Sequence, residues 1–195
     1  MNAVWQDIVS QLSGTQYQRG LLTPQSPVHR INFDAGLNDA EIASIESRFD
    51  FQFPADLRSF LQAGMPQGEG FPDWRGADET VLQEWLDTPR KGIVFDVEHN
   101  GFWLPEWGSR PPSLDQAMQH ASQMVKAAPT LIPIFEHRML PVEPQSAGNP
   151  VFSVQQTDII YYGFDLVSYL CREFGLTPPA EIPAEPRAVR FWDSF

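Results

Sequence analysis

The chain has 195 residues and a mass of 22.1 kDa, enough for one domain with a sizeable core and too short for two large ones. Thirteen basic side chains against 25 acidic ones give a net charge of −12 and a pI near 4.6, leaving little charge for neutralising phosphate, so nucleic-acid and anionic-membrane binding are not expected. A hydrophobic fraction of 42%, with 6 Trp and 14 Phe, excludes a disordered acidic tail.

Asn2 to Ser13 places Val4, Trp5, Ile8 and Leu12 near helical spacing before Gly14, and predicts a helix. Leu21 to Ala35, broken by Pro24 and Pro27, predicts an irregular arm. In Leu37-Asn38-Asp39-Ala40-Glu41-Ile42, Asn38 can cap a helix, Glu41 can answer its backbone N–H, and Leu37 can staple onto Ile42. Ile42, Ile45 and Phe49 then line one face. Pro54 suits the first turn of a second helix, with Leu57, Phe60 and Leu61 as its stripe and Gly64 at its end. Gly68 to Gly76 is a turn-rich loop, and Asp78 caps a helix with Val81, Leu82 and Trp85 facing inward.

The alternation of Ile93, Phe95 and Val97 with Val94, Asp96 and Glu98, followed by Asn100-Gly101 and Phe102-Trp103-Leu104, predicts a β-hairpin with a type I′ turn. In that pairing Glu98 faces Trp103, and the non-core face carries Asp96, Glu98 and Trp103. Ser113 and Gln116 form a candidate capping box for an amphipathic helix running from Leu114 to Ala128. Thr130 to Phe135, Met139 to Val142, Val151 to Val154 and Ile159 to Tyr162 predict four strands. Asp165 caps a last helix through Phe174, closed by Gly175, and a Pro-rich arm leads on to Phe191, Trp192 and Phe195. The expected fold class is α+β around a largely antiparallel sheet.

Common carriers of chemistry are missing: there is no G-x-S-x-G, Walker loop, H-E-x-x-H, paired C-x-x-C or Gly-rich dinucleotide turn. His29, His99, His120 and His137 are dispersed without ligand spacing, so neither metal nor cofactor is expected. Cys171 lies within the last helix and reads as a structural thiol. It permits no intrachain disulfide, and the opening residues lack the basic and apolar regions of a signal peptide, which together predict a reduced, cytoplasmic location. What stands out is an acidic and aromatic group: Trp74, Asp96, Glu98, Trp103, Glu106, Trp107 and Asp158, with Asp73 and Asp78 nearby in sequence. Aromatics interleaved with carboxylates suit a binding patch for a basic protein. The same residues could instead serve glycan binding or carboxylate-based hydrolysis, or the tryptophans could fill the core beneath solvated acids.

Leu37 to Ile42 together with Phe53-Pro54-Ala55-Asp56-Leu57-Arg58-Ser59-Phe60-Leu61 resembles the paired opening helices of the SUKH superfamily. Gly148-Asn149-Pro150-Val151-Phe152-Ser153-Val154, Thr157-Asp158-Ile159-Ile160-Tyr161-Tyr162-Gly163 and Asp165-Leu166 resemble its closing strands and final helix. Asp96 to Trp103 and Glu106-Trp107-Gly108 are similar to a bacterial branch. The resemblance covers roughly Leu37 to Phe174 and implies a single SUKH-like α+β domain over 37–175, flanked by an N-terminal helix and arm over 1–36 and a C-terminal arm over 176–195. It implies a non-catalytic protein, of the kind represented by a fungal regulator of cell-wall synthesis and by bacterial immunity proteins that bind and neutralise toxin domains.

Overall fold

Helix α1 (Ala3–Leu12) buries Trp5, Ile8 and Leu12, the i, i+3, i+7 stripe that its sequence offers to a core. It belongs to a computed structural model of the chain that describes residues 3–19, 26–179 and 181–195. Strand β1 (Gln16–Tyr17) pairs antiparallel with β2 (His29–Arg30), and β3 (Asn32–Asp34) with β4 (Met65–Gln67). The segment expected to be an irregular arm therefore supplies two short strands, with Ile31 fully buried between them; residues 21–25 of that arm lie outside the described residues.

Helix α2 (Asp39–Phe49) starts as its sequence predicts. Asn38 Oδ1 accepts the N–H groups of Ala40 and Glu41, and Glu41 Oε2 accepts the Asn38 N–H at 2.8 Å. Helix α3 (Ala55–Ala63) follows Pro54 and buries Leu57, Phe60 and Leu61. Helix α4 (Glu79–Leu86) is capped by Asp78, which accepts the Thr80 N–H at 2.9 Å. Its inward face is narrower than expected: Leu82 is buried and Trp85 half-buried, but Val81 is 54% exposed.

The predicted hairpin is absent. Residues 93–99 form the second half of helix α5 (Thr88–His99), which opens on Pro89 and buries Ile93, Asp96 and Val97 at i, i+3, i+4. Gly101 adopts the left-handed conformation (φ 69°) that ends a helix, while Asn100 stays at φ −111°, incompatible with a type I′ turn. Both the Asn100 and the Phe102 N–H donate to the Asp96 carbonyl. Ile93 and Val97 fit either period, and the helical one prevails because the side chain between them in space is Asp96, which finds partners only inside the protein.

A 3₁₀ turn (Pro105–Trp107) leads to helix α6 (Leu114–Lys126). The expected Ser113–Gln116 box is not made: Ser113 caps by backbone alone, and the burial of Ala117, Ala121 and Val125 holds the helix in place. Strands β5 (Leu131–Phe135), β6 (Arg138–Pro141), β7 (Val151–Gln155) and β8 (Asp158–Gly163) form one antiparallel sheet in that order, within a residue or two of their predicted bounds. Pro133 is tolerated because β5 is an edge strand. Helix α7 (Leu166–Phe174) carries a reciprocal Asp165–Ser168 cap and ends at Gly175, φ 66°.

Both faces of the sheet are covered. Ile132, Ile134, Leu140, Val142 and Val151 pack with α1, α2, α3 and α7, whereas Leu131, Met139, Phe152, Val154 and Ile159 pack with α5 and α6. A bulge between Pro133 and Phe135 sends Phe135 to the same core as Ile134. The flanks are built into this packing: Trp5, Ile8 and Leu12 join the first core, and Val189 and Trp192 the second. The Trp192 indole N–H donates to Pro129 O at 2.8 Å, and Arg187 reaches Asn149 Oδ1 at 3.0 Å. Among the described residues, no helix is long and apolar enough to cross a membrane.

Candidate functional site

The residues that converge lie where α5 meets the β7–β8 turn. Asp96 is 4% exposed, and its Oδ2 accepts the Thr157 N–H at 3.0 Å and the Thr157 hydroxyl at 2.5 Å, while Oδ1 accepts the Asn100 side-chain amide at 2.5 Å. Burial pushes this carboxyl up, but the donors from Thr157 and Asn100 outweigh burial and leave it below the usual carboxylate range. Gly92, one turn earlier, lets the turn approach closely, because a Cβ there would lie 2.7 Å from Gln156 Cα. Asp96 is thus a fastener between helix and sheet, with both oxygens committed.

Beyond the end of α5, Arg110 donates to Val97 O at 2.7 Å and Gly101 O at 2.9 Å, placing a cation on the last carbonyls of the helix. Its guanidinium also lies 5.9 Å from the Trp103 ring centre. Trp103 is half-buried, donates its indole N–H to Gly108 O at 2.8 Å, and meets Trp107 edge-on at 5.2 Å and His120 at 5.4 Å. Trp107 is buried, in contact with Phe102 and Phe191. Around this corner Glu98, Glu106 and Asp158 are exposed, and Glu98 lies 3.4 Å from His99.

The seven predicted residues therefore separate. Asp96 and Trp107 are interior supports, Trp103 is a half-covered platform, and Glu98, Glu106 and Asp158 are surface acids. Because α5 is a helix, Glu98 does not face Trp103 across a ladder. Trp74 belongs elsewhere: it is 2% exposed in the first core, edge-on to Phe49, Phe51 and Phe53 at 5.4 to 6.3 Å. Sequence reasoning missed Arg110 and Thr157, which organise the corner; both depend on α5 being helical.

Other candidate chemistry is sparse. Among the described residues, no group of three His, Cys, Asp or Glu could hold a metal ion. Arg138 is held at 3.7 Å over the Tyr162 ring, 2.9 Å from Ser153 Oγ and 3.6 Å from Glu173, a partly buried set beside the fully buried Tyr169 hydroxyl, which has no hydrogen-bond partner among the described residues. Burial pushes Glu173 up, partly countered by Arg138. The open grooves among the described residues include one of about 390 Å³ between α2 and Trp74-Arg75, and one of about 660 Å³ between α4, α5 and the β7–β8 turn. Compared with protein-family models, curated proteins and solved structures, the chain matches none.

Proposed function

We propose that this is a cytoplasmic, non-catalytic protein-binding domain of SUKH type that sequesters a basic partner, such as a toxin domain, as immunity and regulatory proteins do. The observation that carries the reading is the disposition of charge. Of the 25 acids only Asp56 and Asp96 are buried, so the excess behind the net charge of −12 faces solvent. Several of the few cations are already paired internally: Arg19 with Glu69 and Glu136, Arg58 with Asp39, Arg75 with Glu41 and Arg90 with Asp87. Such a surface speeds encounter with a basic protein and disfavours acidic ones. At the α5 corner Trp103 supplies a partly exposed aromatic platform and Glu98, Glu106 and Asp158 an acidic rim.

The test is capture followed by titration. The immobilised chain should retain a basic protein from the producing cells, and calorimetry with that protein after purification should give saturable one-to-one binding without turnover of either component. Retention of oligosaccharides alone, or release of reducing sugar from them, would favour the glycan-directed alternative.

A further inference from the structure

Strand β8 ends the sheet, and among the described residues no strand pairs with its outer edge. The opposite edge strand, β5, carries Pro133 and lies against α4. Asp158–Gly163 contains neither Pro nor Lys, and its own guards, a bulge at Tyr162 and the contact with α7, where Arg172 donates to Tyr162 O at 3.3 Å, lie on the C-terminal side of Tyr161. The direction of its backbone groups follows from the register. The Val154 N–H goes to His137 O, towards β6, so the Val154–Ile159 pair is not hydrogen-bonded. In an antiparallel ladder the pairs alternate, so Ser153–Ile160 is the bonded pair and Phe152–Tyr161 is not. The N–H and C=O of Ile159 and Tyr161 therefore point away from the sheet. The Ile159 N–H turns back onto Thr157 O at 3.1 Å, and among the described residues no backbone group reaches Tyr161 from outside.

The side chains along this edge offer apolar and acidic contacts on either side of the unpaired Tyr161 backbone. Ile160 is 53% exposed on one face, and on the other Tyr161 donates its hydroxyl to Asp193 and lies tilted against Phe152, ring centres 4.9 Å apart. Asp158 stands exposed at the start of the strand. Resting on the protein-binding reading above, we infer that the free edge of β8 accepts an extended segment of a basic partner protein as a fifth strand, hydrogen-bonded through Tyr161, packed on Ile160 and carrying its cations opposite Asp158 and Asp193. Charge selects this occupant over a second copy of the chain, which would bring a further −12 and another Asp158 to the same edge.

A short peptide alternating lysine and valine is the probe, and residue-resolved amide hydrogen exchange of the full chain is the readout. Saturating peptide should slow exchange at Tyr161 by about tenfold or more, with little change at Ile160, whose N–H is already committed to β7. The effect should vanish when every peptide nitrogen is methylated, and weaken when Ile160→Lys sets a like charge on the edge. Because methylation alters only the peptide, a folding defect in the variant cannot mimic the result. Binding without protection at Tyr161, or no binding, would overturn the edge assignment while leaving a partner captured in the preceding experiment intact. Equal protection by a peptide alternating glutamate and valine would overturn the basic occupant. Concentration-dependent protection of Tyr161 without peptide would make a second copy the occupant and overturn it as well.

Discussion

Asp96 is a carboxylate whose stability term has a definite sign. Its folded-state pKa lies below the unfolded value because Thr157 and Asn100 donate to the ionised form. The stabilisation is complete above the unfolded carboxylate value of about 3.9 and is lost as pH falls through the folded value. Asp96→Ala should cost about 1 to 3 kcal/mol at neutral pH, since it leaves the partly buried Thr157 donors without their acceptor. In urea unfolding the gap to wild type should narrow below about pH 4; a gap independent of pH would mean that the charge is not what fastens the turn. The residue was visible in sequence as one acid of a cluster, but its role was not. Nothing local distinguishes an acid that rims a surface from one that meets Thr157, 61 positions away. Trp74 and Trp107 escaped in the same way, because a tryptophan's burial is decided by what folds over it.

At the scale of elements, local chemistry was readable where it had one meaning. The Asn38–Glu41 box, the Asp165 cap and the four strands of the main sheet appear where their residues predict. Residues 93–104 had two meanings, since Ile93 and Val97 suit both periods and an Asn-Gly pair serves either a tight hairpin or a helix end. The residues that decide between them, Arg110 on the final carbonyls and Thr157 on Asp96, are remote in sequence. Gly101→Ala should therefore cost about 1 kcal/mol, because a Cβ at positive φ is strained although the nearest atom, on Arg110, is 3.9 Å away. Asn100→Ala should lose only the bond to Asp96, as Asn100 already has negative φ. Thermal melts compare the two, and a larger backbone penalty at Asn100 than at Gly101 would point to a hairpin turn.

At the scale of the molecule, the sheet separates two cores and the chain's last residues complete the second. Trp192 is buried against Pro129, and Asp193 accepts the Val189 N–H at 2.9 Å, locking the terminal turn onto the sheet. Trp192→Ala should destabilise the whole protein by about 3 to 5 kcal/mol in a single cooperative transition. A separate early transition would instead mark the end of the chain as a detachable strap. The surface left outside both cores is acidic, and the central claim is that this surface recruits a basic protein. Its most direct test is the association rate constant with the captured partner, measured by stopped flow across a salt series, for wild type and for a variant combining Glu98→Gln, Glu106→Gln and Asp158→Asn. The predicted result is an association rate that falls about tenfold or more from low to physiological salt, with a flatter slope in the variant and little change in its dissociation rate. An association rate that ignores salt, or a variant indistinguishable from wild type, would contradict the account.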